Sequence, residues 1–488
     1  MQEAKFSTAD AQMEIDMANT GHALSISLTK EEVTTLANEP FWMALRRILF
    51  MLFWILWMAM LIGSVVIITL TPKCVKLKEP FWYESSPIYR IRVDQFADSN
   101  GDGIGDLVGI INKLGYIKDD VSMRAVTLEG LLDENDASVI RPKLGSPAEF
   151  KKLASQIKVI IRVPLGEVVN ELNTPRHDLE TAIINWLEAG AAGFILDEFN
   201  FESTAHRNGL PRWHTLIANL SSTETSGKIL LALSTHNFQT LPDTYCRYAD
   251  MVLNYDMINL TPSYDSSELY PLLADLTEKN RTYSCRDNFV LGTGEITPLG
   301  DRFQPRSRVE ALLIFNMLAD ATPIVYYGDE FGKKDTSGEE KSGVLKHIVE
   351  AHSGIMQWHD IEHIKEHHEP NQYKLFQKLA KLRLNEASIR TGVTAVRDLD
   401  STVLAMARIK PGNPGFVIVS NFRSQTTAVS LRTRISKQIP AQGSVVLTST
   451  NSKKPKDARL PLEDLQVEGE ETLVLQFIPE VVEEADRH

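Results

Sequence analysis

The chain has 488 residues, enough for two or three domains, and its 43% hydrophobic content suits a sizeable core. A formal net charge of −13 excludes the basic surface of a nucleic-acid binder and argues mainly for solubility. Three cysteines are too few for a disulfide scaffold, and in an oxidising compartment an odd number leaves one thiol free or bonded to another chain.

Residues 1–40 are polar and acidic with few aromatics, a composition that predicts disorder. Within them Leu28–Leu36 (LTKEEVTTL) has a short amphipathic pattern, with Thr29 and Glu32 spaced as a capping box. Roughly 45 mostly polar residues precede the first apolar run, more than a cleavable secretory signal allows. From Ile48 to Leu70 no residue is charged (ILFMLFWILWMAMLIGSVVIITL), long enough for a helix to cross a hydrocarbon core of about 30 Å. Arg46 and Arg47 precede this run and Lys73, Lys76 and Lys78 follow it, so flanking charge alone does not set its orientation. Three glycosylation sequons, at Asn219, Asn259 and Asn280, all lie after the span; if used, they place the C-terminal part outside the cell.

Beyond the span, strand-like and helix-like segments alternate, the pattern of parallel strands joined by helical crossovers. Strands are predicted at Ile88–Phe96, Ala125–Leu128, Val159–Val163, Gly193–Asp197, Ile229–Leu233, Met251–Tyr255, Phe289–Gly292 and Pro323–Tyr327. Helices are predicted at Asp106–Lys118, Ala148–Gln156 and Ser307–Ala319. Eight strands with intervening helices imply a closed (β/α)8 TIM-type barrel. From about Val393 short alternating strands take over (Ser401–Ile409, Phe416–Asn421, Gly443–Thr448), implying a small antiparallel β domain. The resulting scheme is α/β with a single transmembrane helix. It comprises an N-terminal segment 1–45, a span 46–72, a linker 73–86, a barrel 87–392 and an all-β domain 393–488.

Asp98–Leu107 reads DSNGDGIGDL. Asp98, Asn100, Asp102 and Asp106 alternate along a loop in which Gly103 permits a sharp turn, and the Ile104 carbonyl adds a fifth oxygen. Calcium takes several oxygen ligands from such flexible loops. Gly109 stands where an EF-hand loop would carry its bidentate glutamate. The expectation is a structural Ca2+ ion; the alternative is a solvated acidic turn.

This segment also carries a family resemblance. Tyr89–Asp119 (YRIRVDQFADSNGDGIGDLVGIINKLGYIKD) closely resembles the first strand, loop and helix of the α-amylase superfamily, and Ala321–Gly332 (ATPIVYYGDEFG) resembles its last barrel strand. The likeness spans roughly residues 85–480 and implies a barrel followed by an all-β domain. It also implies where chemistry would stand. The family nucleophile lies in a G-F-R-x-D motif; here Gly193-Phe194-Ile195-Leu196-Asp197 keeps the aspartate and replaces the arginine. In KILLALST the general-acid glutamate matches Leu233 best, and the third carboxylate's N-H-D becomes Thr293-Gly294-Glu295. The D-x-x-x-N-H motif becomes Arg162–Glu167 (RVPLGE), with neither the first acid nor the histidine. General acid–base catalysis contributes about 10²–10⁴-fold, so losing the proton donor is severe. On this reading Asp197 and Glu198 are remnants or solvated strand-end carboxylates, and no catalytic residue is assigned. Only about ten residues separate Pro164 from Pro175, where catalytic members of the family carry a long cleft-forming insertion.

A barrel of this kind behind an N-terminal span is similar to one group, the heavy chains of heteromeric amino acid transporters. LTKEEVTTLANEPFWMALRR before the span, FWILWMAMLIGSVVII within it and TPKC after it all fit that group. The short third loop favours the type paired with L-type transporters. The resemblance implies a non-catalytic subunit that carries a multi-span light chain to the plasma membrane, N-terminus cytoplasmic and C-terminal domain extracellular. It also implies a disulfide to the light chain at Cys74, against the bland reading of a free or lipid-modified thiol. Cys246 and Cys285 either pair with each other or stay buried and free. The span contains no ionisable residue, which fits a helix that lines no pathway. Phe50, Phe53, Trp54, Trp57, Gly63 and Ser64 are its candidates for packing against partner helices. Two other readings remain at this point: a membrane-anchored α-glucosidase-like enzyme, and an adhesion or receptor ectodomain on an amylase-like scaffold.

Overall fold

The computed structural model describes residues 34–35, 38–70, 80–133, 136–165, 179–221, 227–235, 242–282, 285–333, 355–366 and 371–481. The predicted amphipathic segment Leu28–Leu36 therefore lies mostly outside the described residues; Thr34 and Thr35 are helical. The chain divides into two units, Met1–Lys78 and Glu79–His488.

In the first unit one helix runs Pro40–Leu70, 31 residues with a mean hydropathy of 2.5 in its most apolar stretch and no buried residue. At 1.5 Å per residue it is about 46 Å long, ample to span a bilayer. It starts earlier than the uncharged run because Pro40 suits a first helical turn and the following residues are good helix formers.

The second unit opens with the short helix Trp82–Ser85 and then eight parallel strands: β1 Ile88–Arg92, β2 Ala125–Glu129, β3 Lys158–Pro164, β4 Gly193–Asp197, β5 Leu230–Leu233, β6 Met251–Val252, β7 Asn288–Val290 and β8 Thr322–Tyr326. They follow one another around the sheet in the order β6-β5-β4-β3-β2-β1-β8-β7. The β6–β7 seam is closed by Arg286 N–H donating to Asp250 O (2.7 Å), Val290 N–H to Asn254 O (3.0 Å) and Asn288 Nδ2–H to Val252 O (2.7 Å). The (β/α)8 barrel is thus present, and its edges are satisfied.

Alternation along each strand sorts the core into two layers. Ile88, Ala125, Ile160, Ile195, Leu230, Ala232, Met251, Leu253, Tyr255, Val290 and Ile324 fill the lumen. Tyr89, Val126, Ile161, Phe194, Leu231, Leu233, Leu291 and Val325 face outward into the larger cluster beneath the helices. Tyr83 packs with the lumen cluster at the N-terminal ends of the strands and Trp82 Nε1–H donates to Lys228 O (2.7 Å), so the first residues of this unit floor the barrel.

Two predicted strands are shorter than expected. Val93–Phe96 turns into a helix after β1, and β6 ends at Val252 because Asn254 bonds across the seam and Asp256–Asn259 forms a tight helical turn. The predicted helix Asp106–Lys118 is broken into Leu107–Asn112 and a wider turn Tyr116–Asp120.

The antiparallel part is a six-stranded sheet ordered β14-β13-β16-β11-β10-β9: β9 Val393–Leu399, β10 Val403–Ile409, β11 Gly415–Asn421, β13 Gln442–Thr448, β14 Arg459–Pro461 and β16 Thr472–Phe477. A separate pair joins β12 Thr427–Val429 to β15 Leu465–Val467. Buried Arg408, on β10, ties this region to the barrel by pairing with Asp320 (3.4 Å). Arg308 does the same by pairing with Glu470 (2.9 Å).

Candidate functional site

In α/β barrels the chemistry stands at the C-terminal ends of the strands. Here that end of the lumen is occupied by charge. Arg90 from β1 and Arg162 from β3 both bond Glu129 at the end of β2. Arg162 also reaches Asp197 at the end of β4, Nη2 to Oδ2, 2.6 Å. Tyr255 and Tyr326 close the layer, with the Arg90 guanidinium 5.9 Å from the Tyr326 ring centroid and the Tyr255 and Ser234 hydroxyls 2.6 Å apart. Arg90, Glu129 and Arg162 are each under 10% exposed, so these charges are largely withdrawn from water. Burial alone would lower the Arg90 pKa, but Glu129, Tyr255 and Asp197 outweigh it and hold it above the ordinary value.

This arrangement corrects two sequence expectations. Asp197 is not a solvated strand-end carboxylate; it is the far member of an arginine–carboxylate chain. Leu233 does not occupy the general-acid position either. It faces outward into the helix-side core, and the inward residue at the end of β5 is Ser234, one position on. A one-residue shift along a strand exchanges the two faces of the sheet, and the alternation decides it. Ser234 also carries no carboxylate.

For the third acid, Glu295 is exposed, its backbone N–H bonding Thr293 Oγ1 (3.2 Å), and Gly294 fills the lumen side. A Cβ on Gly294 would stand 2.7 Å from the Tyr326 hydroxyl and 3.6 Å from Arg92, so a side chain there would have to displace the Tyr326 hydroxyl. Ile195, in the nucleophile motif, is packed in the lumen and 3% exposed. Retaining glycosidases need a free nucleophile and a protonated acid about 5–5.5 Å apart. Here Arg162 bonds both Glu129 and Asp197, so neither carboxylate stands free, and burial holds the Glu129 pKa above its ordinary value although Arg90 pulls it down. Sequence reasoning missed Arg90, Glu129 and the tyrosines. Their signal was available: charges at alternate, inward positions of otherwise apolar strands (IYRIR, AVTLE, KVIIRVP).

The Asp98–Asp106 loop is ordered by its own backbone. Asp98 Oδ1 accepts from the N–H groups of Asn100 (3.0 Å) and Gly101 (2.7 Å), and Oδ2 accepts from Gly103 (2.8 Å). Asn100 Oδ1 accepts from Asp102 N–H (2.8 Å), and Asp102 Oδ1 from Ile104 N–H (2.9 Å). Gly101 and Gly103 both have φ of +82°, which lets the amides converge. These bonds, led by those from Gly103 and Gly101, hold the Asp98 pKa below the usual carboxylate value. Asp106 stands apart: it is buried, caps the next helix by accepting from Gly109 N–H (2.6 Å), and accepts from the Ser99 hydroxyl (2.8 Å). The oxygens are therefore not left uncompensated, and among the described residues no three His, Cys, Asp or Glu side chains form a metal-holding group. The remaining donors, Asp98, Asn100, Asp102 and the Ile104 carbonyl, are hard oxygens of the kind calcium takes.

Cys246 and Cys285 form a disulfide, Cα–Cα 4.9 Å, closing a 39-residue separation. The alternative left open by the sequence is thereby resolved, and Cys74 is the odd thiol. Cys74 itself lies outside the described residues. Asn219, near the end of the helix Thr204–Leu220, and Asn259, in the turn after β6, are exposed. Asn280 falls within the helix Ser266–Thr282. On the spanning helix Phe50, Trp54 and Trp57 lie along one side, with ring centroids 6.2 Å and 5.4 Å apart in succession, all exposed.

A family model described as "Solute carrier family 3 member 2 N-terminus" matches residues 12–89. The mouse (Mus musculus) amino acid transporter heavy chain SLC3A2 is 25% identical, over 97% of this chain and 92% of that protein. The chain resembles the amino acid transporter heavy chains along nearly its whole length. By fold it is similar to the trehalose-6-phosphate hydrolase of Bacillus licheniformis, TM-score 0.64 at 15% identity, covering 82% of this chain and 100% of that one. The α-amylase of H.orenii is similar at TM-score 0.61 and 16% identity, covering 80% and 99%. The heavy-chain likeness covers span and barrel together; the glycosidase likeness is to the fold alone.

Proposed function

We propose that this chain is the non-catalytic heavy subunit of a heteromeric amino acid transporter, binding a multi-span light chain and carrying it to the plasma membrane. The observation that carries this reading is the heavy-chain resemblance running through both the spanning helix and a barrel whose lumen is filled by an Arg90–Glu129–Arg162–Asp197 chain. A single helix encloses no pathway, so transport belongs to the partner. In this reading the N-terminus is cytoplasmic and the barrel extracellular. A disulfide within the barrel supports that side, since such bonds persist in oxidising compartments. Exposed Asn219 and Asn259 offer accessible carriers for glycans, with Asn280 the third sequon. With Cys246 and Cys285 paired, Cys74 is the thiol that remains to bond the light chain. It follows Leu70 by four residues, about 13 Å of fully extended chain, so it stays near the membrane surface, where a partner's external loops lie.

The test is co-expression with an L-type light chain and a non-reducing gel. A band at the summed mass that disappears in Cys74→Ser supports the link, and an unchanged band in that variant refutes it. Under the same reading the Asp98, Asn100, Asp102 and Ile104 oxygens would hold Ca2+ and brace the first βα unit. Calcium should then raise the melting temperature of the full chain in detergent, and Asp102→Ala should abolish the rise. Identical melts in calcium and in chelator would exclude the ion.

A further inference from the structure

Four guanidinium groups gather where the N-terminal end of the barrel joins the antiparallel sheet. Arg286 stands just before β7, Arg383 in the last turn of the helix Gln372–Asn385, Arg390 on the short helix Ala387–Thr391 and Arg408 on β10. Arg286 and Arg408 share the carboxylate of Asp320, just before β8, at 3.0 Å and 3.4 Å. Arg383 donates to neutral carbonyls, those of Ala319 (2.6 Å), Ala321 (2.5 Å), Met317 (3.3 Å) and Ser85 (3.3 Å). Burial and the neighbouring Arg286 and Arg408 charges hold its pKa below the ordinary value, and Arg390 adds to the effect.

Positive charge is in excess here. Asp287, beside Arg286 in sequence, is a second carboxylate, with Oδ1 accepting from Asn288 N–H (2.8 Å); Asp250 is already paired with Lys228 (3.3 Å). Four guanidiniums thus face the carboxylates of Asp320 and Asp287. Grouping like charges away from water costs Coulomb energy that an anion relieves. The donors left over mark its place. Nε of Arg286, Arg390 and Arg408 and the hydroxyl of Ser388 are withdrawn from water and have no hydrogen-bond partner among the described residues. Arg408 and Ser388 are fully buried. Arg408 Nη2 donates to the carbonyl of Ile389 (2.6 Å), the residue between Ser388 and Arg390, so these donors belong to one patch. The side chains of Arg286 and Asp320 keep 14% and 23% exposure, which leaves a way in from solvent. An oxyanion is best taken by the paired N–H groups of a guanidinium edge. Here the Nη groups of Arg383 and Arg408 already serve Asp320, Thr394 and backbone carbonyls. Single N–H groups and one hydroxyl remain, a set that suits a spherical, monatomic anion.

We propose that this junction binds one chloride ion, held by the Nε–H groups of Arg286, Arg390 and Arg408 and by the Ser388 hydroxyl. The proposal does not depend on the heavy-subunit reading. The experiment melts the purified full chain in detergent at constant ionic strength, with chloride replaced stepwise by gluconate. It is repeated with Arg390→Gln, and with sulfate in place of chloride. Arg390 is half-buried and forms no salt bridge among the described residues, so its substitution removes charge without breaking an ion pair. Chloride should raise the melting temperature saturably, by about 3 °C at a hundredfold excess over Kd. In gluconate alone Arg390→Gln should melt no lower than the unsubstituted chain, because the crowding of like charge is relieved, and its response to chloride should be largely lost. In a crystal soaked in bromide, an anomalous peak should lie within hydrogen-bond distance of Arg408 Nε. Equal melts in chloride and in gluconate overturn the proposal, in favour of ordered water on these donors. A chloride response of the same size in Arg390→Gln also overturns it, placing the ion elsewhere. So does a lower melt of that variant in gluconate, which makes Arg390 a structural contact. A sulfate response at least as large as that to chloride overturns it in favour of an oxyanion.

Discussion

Replacing Arg162 with methionine tests whether the barrel lumen is an electrostatic plug. Arg162 is the one group that touches both Glu129 and Asp197, and its side chain is 10% exposed against 12% and 16% for theirs. Methionine keeps much of the volume and removes the charge. At an effective dielectric near 20, a charge pair about 4 Å apart is worth about 4 kcal/mol. Breaking a buried pair by removing one partner costs about 3–5 kcal/mol, which agrees. The folded unit runs from Glu79 to His488. At about 2.1 cal/mol/K per residue its unfolding entropy is roughly 0.9 kcal/mol/K, so the melting temperature should fall by about 4–6 °C. The assay is thermal unfolding of the full chain in detergent, followed by near-ultraviolet circular dichroism. Adding Asp197→Asn should restore part of the loss, because the stranded carboxylate is then neutral. A variant that melts with the unsubstituted chain would refute the plug.

Two other outcomes follow from the same structure. Opening the Cys246–Cys285 bond by Cys→Ser at both positions frees a 39-residue loop, and chain-entropy reasoning puts the loss at about 4 kcal/mol; a melt within a degree of the unsubstituted chain would contradict the bond. Burial, reinforced by the neighbouring Glu330 charge and only partly offset by Arg302, raises the Asp329 pKa from 3.8 to about 7. A carboxyl raised on folding contributes stability that is whole below its unfolded pKa and is lost as pH rises through the folded value. Stability should therefore decline between about pH 4 and pH 7, by on the order of 4 kcal/mol from this group, and Asp329→Asn should flatten that decline in a pH series of denaturant melts. An unchanged slope in the variant would assign the decline to another group.

Much of the architecture is legible from periodicity. Gly193–Asp197 has the same limits in sequence and structure, because a short apolar run ending in an acid has few other arrangements in a parallel sheet. The antiparallel strands Val403–Ile409 and Gly415–Asn421 fall within two residues of expectation. Misplacement occurs where tertiary contacts outweigh local pattern. Asn254 and Asn288 close the barrel seam, ending β6 after two residues although the sequence stays strand-like to Tyr255. The lumen is harder to read, because motif matching follows residue order and not which way a side chain points. Leu233 aligns with a glutamate by motif, yet the barrel turns it toward the helices and presents Ser234 instead. Arg162 shows at sequence level only as the loss of a motif's first acid; the fold reveals it as the partner of Asp197, across a strand pair whose register sets Pro164 opposite Asp197.

The central claim, that this chain carries a light chain to the cell surface, is tested most directly in cells lacking their own heavy chain. An L-type light chain is expressed with and without this protein, and its surface fraction is measured by biotinylation. The account predicts that the light chain stays largely intracellular alone and reaches the surface together with this chain. It also predicts that Arg162→Met impairs delivery only to the extent that it lowers folded protein. Equal surface light chain with and without this protein, at matched expression, would contradict it.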